Sequence, residues 1–211
     1  MLFAEAIMKG IVKNVASQMA LNRNNIREFL DEAFNEISEH YDLCRDFQAR
    51  SAKFGETFEA CFEVIINKLY PNLEFEFTPN VALPKACMVD GGEADFAVFC
   101  GQLEKRKLVA VIETKGAADK ITCNGKEEKL TRPGMLRTDT VKKAICNAYQ
   151  VKRAYPNTLF FIVTSHKPTS GNAKCMCDLA EGDIVDKIVD VTNPKDLDEM
   201  IEKIKSILKI L

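Results

Sequence analysis

Two short segments carry the side chains with the most evident chemistry. The first is Gly92-Glu93-Ala94-Asp95-Phe96-Ala97-Val98-Phe99, and the second is Leu108-Val109-Ala110-Val111-Ile112-Glu113-Thr114-Lys115-Gly116. Glu113 and Lys115 are two residues apart, so on a strand they project from one face. The connection from Phe99 to Leu108 is short enough for the segments to pair as a hairpin, setting Asp95 beside Glu113 at one end. Carboxylates can hold a hard divalent cation. A lysine beside them can act on an attacking water or a scissile phosphate. That is what metal-dependent hydrolysis of a phosphodiester needs. Burying a charge costs several kcal/mol unless it is paired or bound to metal, yet Glu113 and Lys115 end one of the most apolar runs of the chain. Two explanations are open: a salt-bridged strand terminus, or a site.

The elements that must position these residues follow from periodicity. Leu2 to Met19 has no proline and an apolar repeat near 3.6, which predicts a helix. Asn25 is a candidate cap for a second helix, Ile26 to Tyr41, with Phe29, Leu30, Ala33, Phe34 and Ile37 on one stripe. A third helix is predicted over Ser51 to Leu69, ended by Pro71-Asn72. Leu73 to Phe77 alternates with period two, as a half-buried strand does. Pro79, Pro84 and Gly91-Gly92 mark loops. Ala94 to Cys100 predicts a strand, Gln102 to Lys107 a polar turn, and Leu108 to Thr114 a central strand buried on both faces. Gly116 to Leu136 is polar and too long for a simple connector, so it is expected to be a functional loop. A helix over Thr140 to Ala154, capped by Thr138 or Asp139, leads to a strand over Thr158 to Thr164. Lys167 to Asn172 reads as a loop, and Asp183 to Val191 as a short strand or helix. Asn193-Pro194 opens a last helix, to about Leu208. The expected fold class is α/β: a mixed sheet flanked by helices, behind an N-terminal helical part. The expected division is residues 1–50 and 51–211, within one compact whole.

Composition excludes more than it assigns. The chain has 211 residues, 46% hydrophobic and 28% charged, with a net charge of −2, an ordinary soluble globular profile. No apolar run is long enough for a membrane helix, and the first eleven residues do not read as a signal peptide. From Gln102 to Tyr155 thirteen Lys and Arg face six Asp and Glu. That excess suits a polyanion or simply a solvated, lysine-rich surface. The eight cysteines lie in apolar settings such as Ala60-Cys61-Phe62 and are expected to be small buried hydrophobes. The Cys175, Cys177 pair lacks a partner pair at zinc spacing. No GxxxxGK phosphate loop occurs, and Ser165-His166 has no evident triad context.

The two opening segments, in this order of elements, resemble the PD-(D/E)XK nuclease superfamily, whose core is α-β-β-β-α-β. The resemblance covers roughly Ser51 to Ser165. Asp95 matches the family's first acid, with Ala94 where the family name has proline. Glu113-Thr114-Lys115 matches the second half. The resemblance implies that Asp95, Glu113 and the carbonyl of Thr114 bind Mg²⁺, and that Lys115 orients or helps deprotonate the attacking water and stabilises the phosphorane charge. Many members carry a further glutamate on the helix before the first core strand. Glu59 borders that helix's apolar stripe and is the candidate, with Glu56 more exposed; both could be surface glutamates. After the site strand, Arg132, Arg137, Lys142 and Lys143 flank a helix N-terminus, where bases oppose the helix dipole but a phosphate would be welcome; they are candidate DNA contacts. Gln150 on that helix either orders the site or is a surface residue.

A free-standing domain of this size most resembles a type II restriction endonuclease. The implied activity is Mg²⁺-dependent cleavage of double-stranded DNA at specific sites, by a homodimer with two-fold symmetry, in a prokaryotic cytoplasm and away from membranes. The alternatives are a structure-specific repair or junction-resolving nuclease, and a non-catalytic nuclease-like DNA-binding module.

Overall fold

The computed structural model describes residues 2–44, 47–88, 92–101, 106–123 and 125–210. The glycine loop expected at Gly91-Gly92 and the turn expected over Gln102 to Lys107 fall partly outside them. The protein is α/β, with three N-terminal helices and a mixed five-stranded sheet with helices interspersed, as expected. Its contacts form two units: Met1–Asn72 with Gly116–Gly134, and Leu73–Lys115 with Met135–Leu211. No helix among the described residues is long and apolar enough to cross a membrane.

The first unit is built from α1 (Leu2–Gln18), α2 (Ile26–His40) and α3 (Phe47–Leu69). Each buries one stripe at helical spacing: Met8, Val12 and Val15 on α1, Phe29, Leu30, Ala33, Phe34 and Ile37 on α2, Phe54, Phe58, Cys61, Phe62 and Ile65 on α3. Phe34 and Phe54 meet edge to face with centroids 5.1 Å apart, and Lys9 on α1 pairs with Glu63 on α3 at 3.0 Å. Asn25 does stand at the N-cap position of α2, but its side chain makes no cap bond. It accepts from the Asn22 amide and donates to the Met19 carbonyl instead, closing the turn between the two helices.

The segment expected as a functional loop, Gly116 to Leu136, contains a hairpin: β4 (Lys120–Cys123) and β5 (Lys126–Lys129), antiparallel. All four β5 residues are exposed, so no period-two pattern announces a strand. The signal available was Asn124-Gly125, a dipeptide that favours two-residue hairpin turns; Gly125 has the positive φ, +72°, that such a turn demands. Tertiary contacts fix the hairpin. The Thr122 amide donates to Asn35 on α2 at 3.0 Å, Arg50 faces Glu128 at 3.8 Å, and Cys44 and Cys123 form a disulfide. That bond corrects the expectation that the cysteines are all small apolar fillers. Cys61 and Cys177 are buried, whereas Cys87, Cys146 and Cys175 are exposed thiols.

The second unit is the sheet. Its strands are β1 (Thr78–Ala82), β2 (Glu93–Cys100), β3 (Lys107–Lys115), β6 (Leu159–Thr164) and β7 (Lys187–Asp190), in the order β1-β2-β3-β6-β7. β1, β2 and β3 pair antiparallel; β3, β6 and β7 pair parallel through helical crossovers. The helices of this unit are α4 (Thr138–Ala154), α5 (Gly171–Ala180) and α6 (Pro194–Leu208). β3 is central, and Val109 to Ile112 are all fully buried, as the apolar run predicts. Val111, Phe160 and Ile162 share one core cluster with Val141, Ala144, Ala148 and Val151 of α4. α6 packs on β3 and β7 through Leu197, Met200, Ile201 and Ile204. Its cap is the expected one: Asn193 accepts from the Lys195 amide, and Pro194 starts the helix.

Pro79, expected to mark a loop, lies inside β1 opposite Phe96, and other expectations in this unit also need correction. Leu73 to Phe77 keep their alternation of exposure, but the ladder with β2 begins only at Thr78↔Ala97. Alternation reports a half-buried extended chain, not a hydrogen-bonded one. α4 starts at Thr138 with Arg137 in the cap position and no side-chain cap bond; Asp139 lies inside the first turn. α5 was not legible, because its buried face is Ala173, Cys177 and Ala180, three small residues with little hydrophobic contrast. Cys175 and Cys177, two apart on this helix, point in different directions, one exposed and one buried, so they do not form a ligand pair.

Candidate active site

The β2–β3 register brings the two acids together. Phe96 pairs with Ile112 and Ala97 with Val111; continued by one residue, the ladder sets Asp95 opposite Glu113. The described ladder stops at Phe96↔Ile112, and the Asp95 side chain takes over. Its Oδ2 accepts the Thr114 amide at 2.6 Å and the Thr114 hydroxyl at 2.8 Å. A carboxylate therefore occupies the place of a strand carbonyl, at the point where β2 and β3 part.

Glu113 is the most enclosed charged group of the site, 3% exposed. Its Oε1 receives Lys115 Nζ at 2.5 Å and Asn147 Nδ2 at 3.0 Å. Lys115 Nζ also donates to the Thr114 carbonyl at 2.9 Å. Two oxygens from β3 thus converge on one cationic nitrogen. Burial pushes the Glu113 carboxyl above its ordinary range; Lys115 opposes that rise, Asp95 adds to it through like charge, and the bonds from Lys115 and Asn147 again oppose it. The end of β3 is braced from β6: Thr164, the parallel partner of Lys115, donates to the Lys115 carbonyl at 2.7 Å and accepts the His166 amide at 3.1 Å.

The predicted residues fall into groups. Asp95, Glu113, Thr114 and Lys115 come together at one end of the β2–β3 pair. Glu59 is half-buried on α3, in the first unit, and Glu56 is exposed and paired with Lys53 at 2.7 Å. Arg132 is exposed in the first unit, with a positive φ of 51°. Arg137, Lys142 and Lys143 are exposed at and near the N-terminus of α4. Arg137 is held in two hydrogen bonds by Asp139, at 3.2 and 2.8 Å. That guanidinium keeps the Asp139 carboxyl below its usual range and neutralises part of the basic patch.

Sequence reasoning missed Asn147. It lies three residues after Ala144 and one before Ala148, at the border of the stripe that packs on the sheet, and that position was the available signal. Gln150, the candidate considered instead, donates to the Cys87 carbonyl at 3.0 Å and ties α4 to the segment after β1. Ser165 lies 2.9 Å from His166 Nδ1, but it is fully buried and cannot face a substrate as a nucleophile.

The donor set is hard oxygen: two carboxylates and a backbone carbonyl. Among the described residues no three His, Cys, Asp or Glu side chains cluster as a metal site. Magnesium is ordinarily held by one or two carboxylates and keeps several waters, so the Asp95, Glu113 and Thr114 oxygens fit it. No protein-family model and no curated protein matches this chain.

Proposed function

We propose that the chain is a Mg²⁺-dependent endonuclease that hydrolyses double-stranded DNA at specific sites, in the manner of a type II restriction endonuclease of the PD-(D/E)XK superfamily. One observation carries the reading: the Lys115 ammonium sits on Glu113 Oε1 and the Thr114 carbonyl, beside the strand that bears Asp95. These oxygens already converge on a positive charge. Asp95, Glu113 and the Thr114 carbonyl would hold the cation, and a bound divalent cation supplies Lewis-acid stabilisation of the phosphoryl oxygens. Lys115, at the mouth of the site with a side chain 23% exposed, would swing to the phosphate or the attacking water and stabilise the charge that develops there. Lys142 and Lys143 on α4, with Arg132 and Arg137, are the proposed phosphate contacts. Glu59, which borders the apolar stripe of α3, is the candidate for the further helix glutamate that many members of the superfamily carry. A homodimer on a palindromic duplex, in a prokaryotic cytoplasm, belongs to the same proposal. Such a compartment keeps most thiols reduced, so cleavage is to be assayed with and without reductant.

The test is incubation of the purified chain with long unmethylated duplex DNA, with Mg²⁺ or with EDTA, beside Lys115→Ala. Discrete fragments that need Mg²⁺ and disappear in the variant support the reading. Intact duplex of broad sequence content under all conditions overturns it.

A further inference from the structure

We propose that Asn147 is a positioning residue for the cation site: its amide locks the Glu113 carboxylate so that Oε1 is occupied and Oε2 is turned to the cation. The inference rests on the cation-binding reading of Asp95, Glu113 and Thr114 and adds a residue from a different element.

The geometry has three parts. First, α4 approaches the sheet closely, because its inward residues include Ala144 and Ala148, both fully buried. That brings a side chain as short as asparagine to within 3.0 Å of a carboxylate on β3. Second, a carboxylate offers only acceptors, so the nitrogen of the Asn147 amide must face it. Third, the two donors described at Glu113, Lys115 Nζ and Asn147 Nδ2, share Oε1, and Oε2 takes neither. Both donors thus hold the carboxylate by its Oε1 corner.

The two donors differ in what they can do during a reaction. Lys115 is long, charged and partly exposed, and the proposed chemistry draws it toward phosphate. Asn147 is short and neutral and is fixed on a packed helix. It can hold Glu113 after Lys115 leaves, and it adds no positive charge that would repel an incoming cation. Partners of this kind, which orient a ligand without touching the metal, typically contribute 10–100-fold to metal affinity or activity.

The experiment measures Ca²⁺ binding to the metal-free 211-residue chain by calorimetry, for wild type, Asn147→Ala, Asn147→Leu and Glu113→Gln. Circular dichroism and thermal midpoints of the metal-free chains check folding. Asn147→Leu keeps the shape and removes the donor, so it separates positioning from packing and serves if the alanine variant does not fold. The expected result is a 10–100-fold weaker affinity in both Asn147 variants. Affinity of Asn147→Leu within twofold of wild type would overturn the inference alone, because it would show that the position only fills space. Equal Ca²⁺ binding by wild type and Glu113→Gln, or none by wild type, would overturn the cation site itself and this inference with it.

Discussion

A methyl group added at Gly116 tests the junction where the site strand ends. A Cβ built there would lie 1.9 Å from Phe58 Cγ and 2.2 and 2.4 Å from the two Cδ atoms. Carbon atoms ordinarily rest about 3.5–4.0 Å apart, so ring or backbone must yield by about 1.5 Å. Phe58 is fully buried on α3, and interiors packed to crystal density leave little room for a ring to move. Gly116→Ala therefore overpacks the core. Its expected cost is at or above the upper end of the roughly 1–3 kcal/mol typical of such insertions. Phe58→Ala alone should cost about 3–5 kcal/mol through the cavity it leaves. With the ring gone these three closest clashes disappear, so Gly116→Ala should cost much less in that background. The assay is urea denaturation of the four chains under reducing conditions, read as midpoints at constant slope. The prediction is a coupling of about 0.5–3 kcal/mol between the two positions. Strict additivity, or a single Gly116→Ala variant as stable as wild type, would refute the close approach of Phe58 to the chain after Lys115.

Two further predictions concern stability. The Cys44–Cys123 bond spans a sequence separation of 79 residues, so in the chain-entropy account it contributes about 4.5 kcal/mol by restricting the unfolded state. Replacing both cysteines with serine should lower the urea midpoint under non-reducing conditions, and adding reductant should bring wild type to the same value. Alkylation of Cys44 and Cys123 in the native, non-reduced protein would refute the bond. Glu113, whose carboxyl is raised above 4.5 by burial, should show the opposite of ordinary acid denaturation. Burial makes its protonated form easier to reach in the fold than in the unfolded chain, so its contribution is complete below pH 4.5 and is lost as pH rises through its elevated folded value. In metal-free protein, Glu113→Gln should gain stability relative to wild type as pH increases from about 4.5 and then level off. A wild type that gains on the variant over that range would refute the burial argument.

Under the proposed cation binding, the burial that weakens the fold would also strengthen the site. A carboxylate held nearly out of water, with one lysine and one amide as partners, is costly when no cation is present and gains most from one. Sites built this way commonly give up stability for function. Activity loss in Glu113→Gln together with a higher metal-free midpoint would be its signature.

The sequence alone carried the strongly periodic parts. The stripes of α2 and α3, the doubly buried β3, and the spacing of Glu113 and Lys115 are local facts, because periods of 3.6 and 2 fix which residues share a face. The Asn-Pro start of α6 is equally local. Elements with weak contrast were not legible: α5 buries only small residues and β5 is wholly exposed. Leu73 to Phe77 mislead in the opposite way, alternating clearly ahead of the first ladder pair at Thr78. The tertiary structure decided which distant groups meet. Asp95 takes the Thr114 amide because β2 and β3 part there, and Asn147 reaches Glu113 because Ala144 and Ala148 let α4 approach. Cys44 finds Cys123 because the hairpin lies on α2. These contacts join residues 19, 34 and 79 positions apart, and no local periodicity encodes a distance of that kind. They follow only once burial of the apolar faces has fixed how the elements pack.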